Sequence, residues 1–181
     1  MTATGPPDPD ENSHDVSSSH DVVVVGDGPA GSALAQALKQ RDVDVALIGP
    51  DEPWVATYGT WADDVESSAV LGGADIWLQR LDSIAVRFTE PRTIDRPYGV
   101  VDNDRLRTVL RAGVVHRRAT PSRADLPAAH LVIDSTGWPS ALDDGARVGS
   151  GRTRMAWQTA YGVVLPEPPV GLLGKPMMMD F

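Results

Sequence analysis

The first strong pattern along the chain is an unbroken apolar run, VVVV at residues 22–25, followed by glycines and then by apolar residues at helical intervals. Four consecutive β-branched residues predict a strand buried on both faces, as in a parallel sheet. Gly26-Asp27-Gly28 ends that strand. Pro29 suits the first helical position, where its absent N–H has no intrahelical partner to lose. Leu34, Ala37, Leu38 and Arg41 keep helical spacing, and residues 30–40 are rich in helix formers, so a helix is predicted there. VDVALI at residues 43–48 predicts a second strand, ended by Gly49-Pro50. Together these form one β-α-β unit. They predict an α/β protein with a Rossmann-like fold and a parallel central sheet.

Downstream the pattern is less regular. PWVATYGTWADDVESS, residues 53–68, reads as a loop leading into a short helix, and SIAVRF, residues 83–88, alternates as a strand does. NDRLRTVLRAG, residues 103–113, sets Leu106, Val109 and Leu110 at helical spacing. Asn103 is its candidate N-cap and Gly113 its C-terminal stop. A short strand is expected at VVH (114–116), another at HLVIDSTG (130–137) and another at MAWQTAYGVVL (155–165). Residues 1–19 are polar and rich in Pro, Ser and Asp, so they are expected to be a disordered tail, leaving residues 20–181 as the domain.

Composition narrows the classes. A chain of 181 residues suffices for one domain with a sizeable core. The net charge is −9. A nucleic-acid surface needs a basic patch, and the nearest candidate, His116-Arg117-Arg118, reads as a solvated loop. The absence of cysteine excludes disulfides, thiolate nucleophiles and cysteine metal sites. The histidines (His14, His20, His116, His130) show no ligand spacing, so no metal site is predicted. No apolar run approaches the roughly 18 residues of a membrane span, and no signal-peptide order opens the chain. The simplest compartment is the cytoplasm.

The candidate chemistry lies in the glycine run. Gly26, Gly28 and Gly31 follow G-x-G-x-x-G after a strand and at the start of a helix. The first glycine allows the tight turn, the second lets a pyrophosphate approach the backbone, and the third lets helix and strand pack closely. Pro29 and Ala30 complete a helix N-terminus that offers N–H groups and positive dipole to phosphate. Such folds place an acid at the end of the second strand for the ribose hydroxyls, roughly 20 residues on. That position is Gly49 here; Asp51 either swings in or is an ordinary turn aspartate. Asp27 is unexpected. A carboxylate about 6 Å from a phosphate charge is repelled by about 0.7 kcal/mol in water and nearly 3 kcal/mol at an effective dielectric of 20. The mild reading is a tolerated, solvent-facing side chain turned away from the ligand. LVIDSTG, residues 131–137, repeats the order strand, acid, small turn, and suggests a second contact with the same cofactor through Asp134, Thr136 and Gly137.

Taken in order, DVVVVGDGPAG, YGTW (58–61), RPYGVVDNDRL (96–106), LVIDSTG, QTAYGVVL and MMMDF resemble the FAD-dependent lycopene cyclases, over residues 21–181. These belong to a larger flavoprotein group with aromatic hydroxylases and geranylgeranyl reductases. The resemblance implies closure of the ends of lycopene, or a related polyene, into ionone rings. That is a net isomerisation using reduced FAD, with NADPH as a possible reductant. It implies that Gly26, Gly28, Pro29, Ala30 and Gly31 line the FAD pyrophosphate, with Asp51 a further cofactor candidate and Asp134, Thr136 and Gly137 the second flavin contact. Tyr58, Gly59 and Trp61 would lie near the flavin or a polyene channel, and Arg96 and Tyr98 in a loop beside it. Plain core packing is the alternative for Tyr58 and Trp61, and a turn set by Pro97 and Gly99 for the second motif. A hydrocarbon substrate also implies peripheral membrane contact.

Four departures from the family pattern stand out. The family usually carries a small neutral residue at position 27, an acid at 49 and often an arginine at 103, where this chain has Asp27, Gly49 and Asn103. Between His116 and His130 relatives carry a β-meander, and here only a bare crossing fits. These departures suggest a weakened cofactor site, in which Asp27→Gly would raise FAD affinity. MMMDF matches the middle of family chains, and the segment supplying the protonating carboxylate follows it there. No catalytic residue is therefore assigned, Asp63, Asp64 and Glu66 read as a solvated helix start, and the isolated chain is expected to be inactive without a second half. The alternatives are another FAD-dependent oxidoreductase, of hydroxylase or polyprenyl-reductase type, or a degenerate non-catalytic fragment.

Overall fold

The computed structural model describes residues 19–87, 89–137 and 140–142, and the backbone of 177–180. Residues 1–18 of the expected tail and the strand expected at 155–165 lie outside the described residues. In chain order the elements are β1 (His20–Val25), α1 (Pro29–Lys39), β2 (Val45–Gly49), β3 (Gly59–Trp61), α2 (Ala62–Glu66), β4 (Trp77–Leu81), β5 (Ile84–Arg87), β6 (Pro91–Ile94), β7 (Tyr98–Val101), α3 (Asn103–Arg111), β8 (Val115–Arg118), β9 (Ala129–Asp134) and β10 (Met177–Asp180), with a 3-10 turn at Arg123–Asp125.

The β-branched run forms an inner strand of a four-stranded sheet in the order β8-β2-β1-β9, parallel throughout. Val25 pairs with Ile48 on one side and Asp134 on the other, so the ends of β1, β2 and β9 lie abreast. Both faces are buried. Val22, Val24, Val45 and Leu47 pack with Ala35, Leu34 and Leu38 of α1, while Val23, Val25, Ala46 and Ile48 pack with Leu126 and Ala129. Full burial of each such side chain stabilises the fold by about 1.5–3 kcal/mol, which is why period-2 alternation is absent here. The architecture agrees with the Rossmann-like expectation. His116 lies in β8, as the strand expected at 114–116 has it, and Arg117 and Arg118 continue that strand on the sheet edge rather than forming a loop, with Gly49 opposite Arg118.

Helix α3 starts one residue from where the pattern sets its cap. Asp102, extended at φ −79° and ψ 110°, is the N-cap, and its carboxylate accepts the N–H groups of Asp104 and Arg105. Asn103 is already helical, and its side-chain amide donates to the carbonyls of Trp54 (2.6 Å) and Ala56 (2.8 Å). Gly113 ends the helix as expected, in the left-handed region at φ +64°. The apolar stripe of α3, Leu106 and Leu110, packs on Val65, Ile76 and Val101. Lys39 ties α1 to α3 by donating to the Ala112 carbonyl at 2.9 Å.

Two small sheets went unanticipated except for β5. One is β3-β7-β4, antiparallel about a central β7. The other is β10-β5-β6, a β5–β6 hairpin with β10 parallel to β5. Their strands are three to five residues long, and β6 is exposed along its whole length, so they carry little hydrophobic period. The RPYG motif is a turn only at Arg96-Pro97; Tyr98 and Gly99 belong to β7. No helix among the described residues is long and apolar enough to cross a membrane. Because Leu110 is almost wholly buried beneath α3, Leu110→Ala should cost about 2–5 kcal/mol of stability in urea unfolding. A loss under 1 kcal/mol would show that this cluster does not hold the helix.

Candidate dinucleotide-binding site

The glycine loop lies where the ends of β1 and β9 meet. Gly26 has φ +104°, and a Cβ there would fall 2.6 Å from the Ser135 carbonyl carbon and oxygen. Ser135 fixes this approach. Its N–H donates to the Val25 carbonyl at 2.7 Å, and its hydroxyl reaches the carbonyls of Val25 (3.0 Å) and Gly26 (2.9 Å). A Cβ on Gly31 would overlap the Gly26 carbonyl, so the third glycine lets α1 close on β1. Gly28 differs, because a Cβ there meets nothing within 4 Å. It is the N-cap of α1 and supplies no side-chain cap, with Pro29 following. The result is an uncapped helix N-terminus facing open space, which suits an anion.

The expected second contact is partly self-engaged. Asp134 accepts the Thr136 N–H (2.9 Å) and hydroxyl (2.7 Å) and the Ser140 hydroxyl, so it organises its own turn. Burial pushes its carboxyl up, but those hydrogen bonds outweigh it and hold it below the usual range. Gly137, at φ +87°, is open to approach.

Asp27 is the main correction to the sequence reading. It is 6% exposed, not solvent-facing. Its Oδ2 accepts the Asp51 N–H (2.9 Å) and an Arg111 N–H (2.9 Å), and lies 3.1 Å from His116 Nε2. Its carbonyl accepts from Arg111 (2.7 Å), from Trp54 Nε1 (3.1 Å) and from Ser32 (3.2 Å). The Arg111 guanidinium lies 5.7 Å from the Trp54 ring centroid. The charge that should repel a pyrophosphate is thus neutralised by a guanidinium.

Asp51 joins the same cluster. It sits at φ +62° and accepts from Arg111 (2.7 Å) and Arg107. Burial raises its carboxyl, and the Arg111 hydrogen bond with the charges of Arg107, His116 and Arg111 outweighs that, so it ends below its usual 3.8. Asp27, Asp51 and His116 bring ligand-type atoms within 4.8 Å of one another. Arg111 already lies on both carboxylates, so the charge a metal would supply is present. Sequence reading missed Arg107, Arg111, His116 and Trp54. One signal was available, since Arg107 and Arg111 are four apart on one face of α3.

The aromatic motifs meet as cross-strand neighbours. Thr60 pairs with Gly99 and Trp61 with Tyr98, and those two rings stand edge to face at 5.3 Å. Arg96 lies 4.7 Å over the Trp61 ring and is held by Asp63 and Asp64. Asp63 and Asp64 therefore anchor Arg96 rather than merely opening a solvated helix. Gly59 lies against Tyr98, where a Cβ would come 2.9 Å from Cζ. Tyr58 packs on the cluster beneath α3, as core packing requires.

Arg111→Ala should cost about 3 kcal/mol by taking the guanidinium from the buried Asp27 carboxylate. Arg80→Ala, at the exposed pair with Glu66, should cost under about 1 kcal/mol. Equal losses in chemical unfolding would remove Asp27–Arg111 as a buried anchor. The lowered Asp51 carboxyl has a defined sign: its stabilisation is complete above about pH 4 and fades as pH falls through the lower folded value. Melting temperature should drop in that acid window, and less steeply in Asp51→Asn. Identical acid slopes would contradict it.

A family model described as lycopene cyclase protein matches residues 21–127. An uncharacterized carotenoid cyclase of Deinococcus radiodurans is 32% identical over 183 residues, covering 90% of this chain and 43% of the relative. Lycopene beta cyclase of Synechococcus elongatus is 27% identical over 175 residues, covering 83% and 41%. The chain thus spans about two fifths of the length of these relatives. Among solved structures, 2-methyl-3-hydroxypyridine-5-carboxylic acid oxygenase aligns with a TM-score of 0.54 at 18% identity, covering 70% of this chain and 42% of that one, a likeness of fold.

Proposed function

This chain belongs to the lycopene cyclase family, and on that premise we propose that it is the FAD-binding part of an enzyme that cyclises lycopene or a related polyene. The observation that carries the proposal is the open, uncapped N-terminus of α1 at Gly28, beside a glycine loop pinned by Ser135. The residues fit the group: Gly26, Gly28, Pro29, Ala30 and Gly31 would hold the FAD pyrophosphate by backbone N–H groups and helix dipole. Thr136 and Gly137 would offer the second contact, with Asp134 holding their turn. Asp51 supports the loop through Asp27 and Arg111 instead of reaching in freely.

The chemistry that bound, reduced FAD would supply is negative charge that stabilises a carbocation. The Trp61–Tyr98 pair, with Arg96 over the Trp61 ring, offers an aromatic surface against which a polyene could pack. Val55 and Leu78 are exposed and help line a cavity of about 380 Å³ with Trp54 and Val100. Asp102, Asn103 and Asp104 line its other side, so the opening is of mixed polarity, with an apolar wall against which a hydrocarbon could pack; a cytoplasmic protein in peripheral contact with a membrane is the setting that a polyene substrate implies. NADPH is the proposed reductant.

The test is flavin uptake. The purified chain, incubated with FAD and desalted, should retain flavin absorbance, and anaerobic NADPH should bleach it. A colourless protein would overturn the FAD reading. Flavin that stays oxidised would remove NADPH and leave FAD in place.

A further inference from the structure

Two features of the cofactor crevice, an acid in the glycine loop and none at the end of β2, where dinucleotide folds place one, meet at one point in space. A Cβ built on Gly49 would fall 2.5 Å from Asp27 Cβ, and closer still to its carboxyl carbon and Oδ1. Real Cβ atoms essentially never come within 3.0 Å of another atom. A side chain at 49 would therefore force Asp27 to shift, and the Asp27 carboxylate occupies the volume into which such a side chain would lead. We infer that Asp27 is the ribose-recognising acid of this fold, transferred from the end of β2 to the glycine loop, and that it receives the hydroxyls of the adenosine ribose.

The geometry of the carboxylate agrees with that role. The hydrogen bonds from Asp51 N–H and Arg111, and the His116 contact, all converge on Oδ2. Oδ1 is the oxygen set against Gly49. A carboxylate offers about four lone-pair positions, so Oδ1 keeps acceptor capacity on the side where dinucleotide folds place their acid. Arg111 compensates the charge and orients the group, while His116 braces it from β8. Asp27 is then a reason for FAD to bind, and the gain in affinity expected from Asp27→Gly becomes a loss.

The inference rests on the FAD reading, and a competition experiment on the full chain separates the two. FAD binding is displaced by ADP and by 2′-deoxy-ADP. The wild-type chain should prefer ADP by about tenfold, as for a hydrogen bond to a charged group. Asp27→Gly should lower FAD affinity by about tenfold and abolish that preference, which a purely structural role would not. Gly49→Asp alone should lower the melting temperature. The double exchange, Asp27→Gly with Gly49→Asp, should recover both melting temperature and preference. If Asp27→Gly does not fold, Asp27→Asn keeps the volume and should still weaken the preference. Wild-type chain that binds FAD without preferring ADP overturns the inference alone. So does an Asp27 variant with undiminished preference, or a double exchange no better than Asp27→Gly. Wild-type chain that takes up no FAD overturns the functional proposal and this inference with it.

Discussion

One buried charge organises the site. The Asp27 carboxylate lies between the glycine loop and the end of β2, and a buried charge persists only when paired. Its partners come from three other segments: Arg111 from the last turn of α3, His116 from β8, and the N–H of Asp51 after β2. The pairing fixes how the end of α3 sits against the glycine loop. Replacing such a pair with apolar residues of matching shape is often neutral for stability, whereas removing one member is costly. Its contribution is therefore one arrangement of four segments rather than extra free energy.

The legible parts of this fold are those whose environment is uniform along an element. β1 and β2 are buried on both faces and read as continuous apolar runs, and α3 shows a clean stripe at Leu106 and Leu110. The glycine loop was legible because backbone conformation leaves few residues that fit at Gly26 and Gly31. Strands β3, β4, β6 and β7 were not: all are three to five residues long, and β4 and β6 are largely open to solvent, so that neighbouring strands define them. The partners of Asp27 were hidden for a different reason. Arg111 and His116 are 84 and 89 residues away, and only the paths of α3 and β8 bring them together.

YGTW and RPYG were separately conspicuous motifs in the sequence. In the fold they are one object, two antiparallel strands whose aromatic rings, glycines and arginine fit each other. Gly59 makes room for Tyr98 and Gly99 for the Trp77 ring. The glycines are needed for close approach of neighbours, not for turning the chain, which is why reading Pro97 and Gly99 as a turn misplaced Tyr98 and Gly99.

The departures at 27, 49 and 103 can be weighed against random loss of a cofactor site. Independent decay gives changes with no structural relation. Here Asp27 fills the space above Gly49. Asn103 holds the Trp54 and Ala56 carbonyls, and the Trp54 indole donates to the Asp27 carbonyl. The three positions thus form one chain of contacts. A cluster with its charge paired and its volume filled is a rearranged site rather than a damaged one. On this ground the degenerate-fragment reading is the weaker account of the glycine loop.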